Sequence, residues 1–251
     1  MIDSSSKINS NSPKNWFQST IGLKASNLVL LHGWGTTWQS LSPLVEIFKN
    51  KYNVYALDLP SAKYSVLTID DYVVFVLNFI KDNQIDNPII IGHSLGGAIA
   101  SKIAAQHPKK IRAIILLAAA SIRHQLPKNW LILQKLIYPV KPLLRLFRKQ
   151  ILKITKLDAT DYLELSTNEE KQTFRNLLKT DLSSLLPKIN CPTLILWGEK
   201  DESTRLEDGK KIHELIKHSI FKSYPNCGHL FYLDYPQDVS DTIITFINNA
   251  T

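Results

Sequence analysis

The middle of the chain holds the feature that most constrains its fold: an apolar segment, a glycine-rich turn and an Ala-rich segment in succession. Residues 88–91 predict a buried strand, and residues 95–106 predict a helix that ends before a proline. Between them stand residues 92–97, Gly-His-Ser-Leu-Gly-Gly. Glycines on both sides of Ser94 permit a turn so tight that a Cβ would clash across it. The succession predicts that the turn exposes the Ser94 hydroxyl at the carboxyl end of the strand.

Further apolar segments alternate with helical patterns on both sides of this unit. Continuous apolar strands of this kind are typical of a parallel sheet covered on both faces. We predict strands at residues 27–31, 52–57, 88–91, 111–117, 193–197 and 220–224. Helices are predicted at 68–80, where Thr68 and Asp71 resemble a capping box, and at 95–106, 206–217 and 237–248. The alternation predicts an α/β fold with a mostly parallel, doubly wound sheet.

The strand pattern also divides the chain into a core and an insertion. Residues 121–189 show no convincing strand, so we predict a helical cap inserted there, before the last two strands. The core then comprises residues 27–120 and 190–251. Residues 1–26 are interpreted as an N-terminal tail with a candidate leading strand at 16–21.

Composition excludes several classes of protein. The 251 residues are 44% hydrophobic and 21% charged, as in an ordinary globular protein, and no apolar run reaches the ~18 residues of a membrane-spanning helix. The Ser- and Asn-rich first 14 residues lack the apolar core of a signal peptide, so we expect a cytoplasmic location. Cys191 and Cys227 have no framework spacing and are interpreted as reduced thiols.

A serine nucleophile needs a base, because a free hydroxyl is barely ionised at neutral pH. Of the seven histidines, His229 follows the last predicted strand, where a loop can reach back over the carboxyl edge of the sheet. We interpret His93, His107, His213 and His218 as surface or supporting residues, and His124 stays open.

The base in turn needs a carboxylate to orient it. Residues 198–202, Gly-Glu-Lys-Asp-Glu, follow a predicted strand and present three acids. We choose Asp201, with Glu199 and Glu202 as alternatives. The chain order is then Ser94, Asp201, His229, as expected for a nucleophile on a strand-to-helix turn of an α/β sheet.

Residues 32–35, His-Gly-Trp-Gly, directly follow the first core strand. Their glycines let the backbone approach a ligand closely. We predict that the N–H groups of Trp34 and Leu95 form an oxyanion hole.

With these four motifs in place, the chain resembles serine hydrolases of the α/β-hydrolase superfamily from about residue 27 to its end. Within it, residues 32–35 and the basic cap are similar to carboxylesterases and pimeloyl-acyl-carrier-protein methyl ester esterases. The resemblance implies an enzyme with no cofactor and no metal. It also implies an acyl-enzyme on Ser94, with His229 moving the proton and Asp201 holding His229. Residues 61–65, Ser-Ala-Lys-Tyr-Ser, depart from the family's Gly-x-Gly-x-Ser loop, and His93 stands where that subgroup often has Trp.

The net charge of +8 is concentrated in one stretch, since residues 121–156 hold nine Lys or Arg and no Asp or Glu. Arg145, Arg148 and Lys149 are candidate substrate-binding residues there, and Lys153 and Lys156 continue the helical spacing. Three interpretations stay open: an acidic acyl carrier protein as partner, an anionic membrane surface, or a solvated face. No recognition motif indicates nucleic acid binding.

The function we predict is hydrolysis of a carboxylic ester or thioester in a small-molecule or acyl substrate. Alternatives with the same residues are carbon–carbon bond hydrolysis and acyl transfer. A non-catalytic binding protein is the remaining class, and it would have no need to retain Ser94, Asp201 and His229 together.

Overall fold

The computed structural model describes residues 16–123 and 165–250, and these residues form one seven-stranded sheet flanked by helices. The spatial order of the strands is β1-β3-β2-β4-β5-β6-β7, with β1 antiparallel to β3 and every other neighbouring pair parallel. The strands are β1 (Trp16–Ser19), β2 (Asn27–Leu31), β3 (Asn53–Leu57), β4 (Ile89–His93), β5 (Ala113–Leu117), β6 (Thr193–Gly198) and β7 (Ile220–Tyr224). The predicted α/β fold with a mostly parallel sheet is confirmed.

Helices occupy most of the intervals between the strands. In the described residues they are α1 (Ser42–Phe48), α2 (Ile69–Asp82), α3 (Leu95–Gln106), α4 (Asn168–Lys179), α5 (Leu206–Leu215), α6 (Phe231–Asp234) and α7 (Pro236–Ala250). Helix α1 packs against α7, whereas α2 packs against α3, so the helices form two groups around the sheet. The sequence pattern does not predict α1 and α6, because 7 and 4 residues are too short to show a helical period.

Side-chain caps set where α2 begins. The Thr68 hydroxyl accepts a hydrogen bond from the Asp71 N–H, and Asp71 Oδ2 accepts one from the Thr68 N–H at 2.7 Å. This reciprocal pair satisfies two N–H groups that the helix itself leaves unpaired. The capping box predicted from the sequence is confirmed.

The five inner strands, β2 to β6, bury both of their faces, whereas the edge strands β1 and β7 are partly exposed. Every residue of β4, β5 and β6 is buried, and so is all of β2 after its first residue. Continuous apolar strands therefore have the environment that their sequence predicted. Because these strands are parallel, the segments that follow β2, β4, β6 and β7 all leave the sheet at the same edge.

Helix α4 lies in the range that we predicted to be the cap. It starts with a capping box of Thr167 and Glu170. Its Thr173 is fully buried and accepts a hydrogen bond from the Leu67 N–H at 2.8 Å, which ties the helix to the loop after β3. The described part of residues 121–189 contains no strand. None of the helices in the described ranges is long and apolar enough to span a bilayer.

Candidate active site

Ser94 lies on the turn between β4 and α3, as the sequence predicted. Its backbone has φ 52° and ψ −110°, a conformation that non-glycine residues rarely adopt. Three backbone hydrogen bonds hold it there: the Ser94 N–H donates to the Leu117 carbonyl at 2.9 Å, and the Ser94 carbonyl accepts from the N–H groups of Ala120 at 3.0 Å and Ala98 at 3.1 Å. Ser94 is partly exposed, whereas His93 and Leu95 are buried. The strained turn therefore presents the hydroxyl to solvent.

Close backbone approach explains the glycines around Ser94. A Cβ on Gly92 would collide with the backbone carbonyl of Gly96 across the turn. A Cβ on Gly96 would collide with the Leu31 carbonyl at the end of β2. Neither neighbour is a flexible side chain that could move aside, so the turn requires both glycines.

Asp201 and His229 meet at the same edge of the sheet. Asp201 Oδ2 lies 2.7 Å from His229 Nδ1, although the two residues are 28 positions apart. A carboxylate can only accept, so Nδ1 carries the hydrogen and Nε2 keeps its lone pair. The Asp201 side chain is completely buried, while 21% of the His229 side chain is exposed. This exposed imidazole has the tautomer that a general base requires.

The loops that carry these two residues are joined directly. The Lys200 N–H donates to the Cys227 carbonyl at 2.8 Å. A Cβ on Gly198 would collide with the Gly228 carbonyl, so glycine at the end of β6 lets the two loops approach. The hydrogen bond between Asp201 and His229 rests on this backbone contact.

The buried Asp201 carboxylate receives several hydrogen bonds besides the one from His229. Its Oδ1 accepts from the backbone N–H groups of Ser203 at 2.8 Å and Thr204 at 2.9 Å. The Thr204 hydroxyl lies 2.9 Å from Oδ2. These donors satisfy a charge that would otherwise be costly to bury. The alternative acids are both exposed, and Glu199 accepts a hydrogen bond from the Ser223 hydroxyl at 2.8 Å.

His93 brings the nucleophile turn and the base into contact. Its ring lies 4.6 Å from the His229 ring, centroid to centroid, and its Nε2 lies 3.2 Å from the His229 carbonyl oxygen. Among the described residues, no hydrogen bond joins the Ser94 hydroxyl to the His229 ring. Such contacts often tighten only when substrate binds.

The loop after β2 lies against the nucleophile turn. A Cβ placed on Gly33 would come within 3.4 Å of Ser94 Cβ, and the Gly96 N–H donates to the His32 carbonyl at 3.2 Å. Over residues 16–123 and 165–250, no hydrogen bond uses the N–H of Trp34 or Leu95. Neither of the N–H groups that we predicted to bind an oxyanion is thus engaged by another described residue.

His32 supports that loop in a way that the sequence did not reveal. Its Nε2 accepts a hydrogen bond from the Leu59 N–H at 2.8 Å, and its Nδ1 lies 2.7 Å from the Gly33 carbonyl, to which it donates. Burial is the main cause that lowers the pKa of His32 below 6.5, so the ring is neutral at pH 7. Its place in the motif at residues 32–35 was the only available signal, because Leu59 is distant in sequence.

Several predicted residues lie outside the described part of the chain. These are the candidate substrate-binding residues Arg145, Arg148 and Lys149, together with His124. Arg123, at the start of the basic stretch, is described: its Nη2 donates to the Leu177 carbonyl of α4 at 3.3 Å. Cys191 and Cys227 are free thiols.

The chain is similar in sequence to proteins named as hydrolases and esterases. The chain is 25% identical over 250 residues to an uncharacterized hydrolase, YugF, of Bacillus subtilis, covering 88% of this chain and 89% of that protein. It is 27% identical over 247 residues to the pimeloyl-[acyl-carrier protein] methyl ester esterase of Chromobacterium violaceum, covering 89% and 94%.

Solved structures share the fold. A membrane phospholipase A described as a bacterial virulence factor superposes with a TM-score of 0.74 at 23% identity, covering 94% of this chain and 82% of that one. The family model described as "Alpha/beta hydrolase family" matches residues 28–242. The sheet order, the nucleophile turn and this match together show that the chain is a hydrolase belonging to the alpha/beta hydrolase family.

Proposed function

We propose that this protein hydrolyses carboxylic esters or thioesters through an acyl-enzyme on Ser94. The observation that carries the proposal is the 2.7 Å contact between Asp201 Oδ2 and His229 Nδ1, at the sheet edge where the Ser94 turn also lies. It leaves His229 Nε2 free to take a proton. The relative named as a methyl ester esterase supports an ester as the bond that is broken.

The proposed mechanism has two halves. His229 Nε2 accepts the Ser94 proton as the hydroxyl oxygen attacks the substrate carbonyl, and Asp201 stabilises the imidazolium that forms. The N–H groups of Trp34 and Leu95 bind the oxyanion, and preorganised donors of this kind contribute about 10²–10³-fold in rate. The imidazolium then protonates the leaving alcohol or thiol. Water, deprotonated by His229, releases the acid and regenerates Ser94.

The helix after Ser94 adds to the stabilisation of the oxyanion. Leu95 is the first residue of α3, a helix of 12 residues. The N-terminus of a helix carries a partial positive charge, which favours negative charge developing near Leu95 N–H. The strained turn at Ser94 thus serves both the nucleophile and the oxyanion hole.

The experiment is hydrolysis of p-nitrophenyl acetate, butyrate, octanoate and decanoate by wild type and Ser94→Ala. We expect turnover with a chain-length optimum and loss of essentially all of it in the variant. The matched control is Ser219→Ala. Ser219 lies in the turn before β7, at the end of the sheet where the parallel strands begin, away from Ser94. Its hydroxyl donates to the Ile216 carbonyl at 2.9 Å, and we expect normal turnover.

Covalent labelling separates the remaining classes of function. A fluorophosphonate probe should label wild type and Ser219→Ala but not Ser94→Ala. Labelling of Ser94 without turnover of any ester would favour carbon–carbon hydrolysis or acyl transfer over ester hydrolysis. Folded wild-type protein that is not labelled would contradict the nucleophile itself.

An acyl carrier protein is the partner that we propose to test next. The support is the name of the Chromobacterium relative and the nine basic residues without an acid in residues 121–156. We expect a methyl ester carried on an acidic carrier protein to have a lower KM than the same ester free in solution. That difference should shrink as salt increases, because screening weakens the attraction between exposed charges.

A further inference from the structure

His93 links the nucleophile turn to the loop that carries the base. It precedes Ser94 directly in the chain, and its ring packs on His229, with centroids 4.6 Å apart and planes inclined by 51°. The residue is only 3% exposed. Because His93 adjoins Ser94 in the chain and its ring contacts His229, a shift of the Ser94 turn would also shift the base.

The hydrogen bond of His93 defines its tautomer. Nε2 lies 3.2 Å from the backbone oxygen of His229, and a carbonyl oxygen can only accept. Nε2 therefore carries the hydrogen. Nδ1 is buried and has no hydrogen-bond partner in the described part of the chain, as a neutral ring with its one hydrogen on Nε2 allows. Burial, the first cause, and the neighbouring His229 hold the pKa of His93 well below 6.5, which agrees with this neutral form.

Neighbouring groups prevent the ring from turning. Tyr232 packs edge-on against it, with centroids 5.0 Å apart. On the Nδ1 side a Cβ added to Gly33 would lie 3.0 Å from Nδ1, so the loop after β2 (residues 32–35, the oxyanion loop) packs closely against that side. A ring confined in this way holds its Nε2–H in one direction.

We propose that His93 is a positioning residue, whose Nε2–H bond to the His229 carbonyl sets the distance between the base and the nucleophile on the adjacent residue. This inference rests on the proposed roles of Ser94 and His229. The base sits on a loop, and within residues 16–123 and 165–250 this bond and the accompanying ring contact are what join that loop to the nucleophile turn. Displacement of a catalytic group by about 1 Å can cost about 10²-fold in rate.

A set of substitutions at residue 93 distinguishes the effect of the hydrogen bond on rate from the effect of side-chain volume. In His93→Gln the side-chain amide can place an N–H near the position of Nε2. In His93→Asn the shorter amide reaches only the position of Nδ1, and His93→Leu fills space without any donor. We expect His93→Gln to keep kcat within about threefold of wild type, and the Asn and Leu variants to lose about 10²-fold in kcat with KM nearly unchanged.

Controls make each outcome decisive. Rates are divided by the fraction of protein that is folded, measured by circular dichroism, so that loss of folded protein does not count as loss of rate. Equal kcat in the Gln, Asn and Leu variants would overturn the positioning role, as would an effect confined to KM. Activity that survives Ser94→Ala would instead contradict the proposed function, so the two failures are distinguishable.

A second measurement does not depend on the rates of the variants. Nitrogen-15 NMR of histidine-labelled wild-type protein should show one buried, neutral imidazole with its hydrogen on Nε2, and the signal should vanish in His93→Gln. A hydrogen on Nδ1 of that ring, or a ring that becomes charged near pH 6.5, would contradict the proposal even if the Leu and Asn variants fail to fold.

Discussion

The indole of Trp34 packs against the ring of Phe174, with centroids 5.5 Å apart and planes inclined by 44°. Phe174 belongs to α4, in the predicted cap, whereas Trp34 carries an N–H group that we assign to the oxyanion hole. The buried bond from Leu67 N–H to Thr173 anchors the same helix on the core. The cap-side helix and the oxyanion loop are therefore in direct contact.

This contact leads to the first prediction. Phe174→Ala should lower kcat/KM by roughly 10- to 100-fold, because the Trp34 loop loses the surface that holds its N–H group in place. The measurement is steady-state hydrolysis of p-nitrophenyl butyrate. Leu178→Ala is the control, since Leu178 is 49% exposed on the same helix and should have little effect. Equal losses of kcat/KM in the two variants would contradict a specific role for the contact between Trp34 and Phe174.

The second prediction tests which acid orients the base. Asp201→Asn should lower kcat on the order of 10²–10⁴-fold, because an amide cannot hold His229 in the same tautomer. Glu199→Gln is the matched control: Glu199 is exposed and accepts a hydrogen bond from Ser223, away from His229, so kcat should be unchanged. A large loss in the glutamate variant and none in the aspartate variant would reverse our assignment.

The third prediction concerns Thr204, whose importance the sequence did not indicate. Its hydroxyl lies 2.9 Å from Asp201 Oδ2, 3.3 Å from His229 Nδ1 and 3.2 Å from the Ala118 carbonyl. Thr204→Val keeps the shape but removes the donor, and should lower kcat about tenfold, equivalent to about 1.4 kcal/mol. Thr204→Ser should retain wild-type kcat. If valine and serine variants perform alike, the hydroxyl has no part in orienting the acid.

The fourth prediction is a stability difference between two glycines. Gly96→Ala should lower the free energy of unfolding by about 3 kcal/mol or more, because its Cβ would collide with the Leu31 backbone of the adjacent strand. Gly228→Ala is the control: its Cβ would lie 3.8 Å from the Lys200 carbonyl, an ordinary contact. Urea unfolding followed by circular dichroism measures both, and similar midpoints for the two variants would contradict the close approach at Gly96.

The fifth prediction follows from two buried neutral histidines. The pKa values of His32 and His93 are lowered in the folded protein from the ordinary 6.5, chiefly by burial. The unfolded chain therefore binds protons that the folded protein does not, and the free energy of unfolding should fall as pH drops below about 6.5. The slope should approach about 1.4 kcal/mol per pH unit for each histidine.

Urea titrations between pH 7.5 and 5 measure this slope. His93→Gln should remove the contribution of one of the two residues and so make the dependence shallower. A slope that is the same in wild type and variant would show that His93 is protonated in the folded protein too.

Local sequence determined the elements of the site and their order along the chain. Residues 88–106 contain their own strand, turn and helix signals, so the conformation of Ser94 could be predicted from neighbouring residues alone. The predicted bounds of β2 and α3 agree with the structure, because a continuous apolar run and an Ala-rich helix can be recognised without their tertiary partners. Helix α5 ends at Leu215 and not at 217, since Ile216 is extended and His218 has φ 63°.

Only the tertiary structure decided which side chains support the site. The bonds from His93 to His229, from Leu59 to His32 and from Leu67 to Thr173 join residues 136, 27 and 106 positions apart. No periodicity or local motif encodes such pairs, because each depends on the register of the parallel strands and on how the loops leave their common edge. Thus the sequence by itself determined that a serine, an acid and a histidine would follow these strands. Packing at the sheet edge selected Asp201 over its neighbours as the partner of His229, because its carboxylate is the one buried against the loop that carries that histidine.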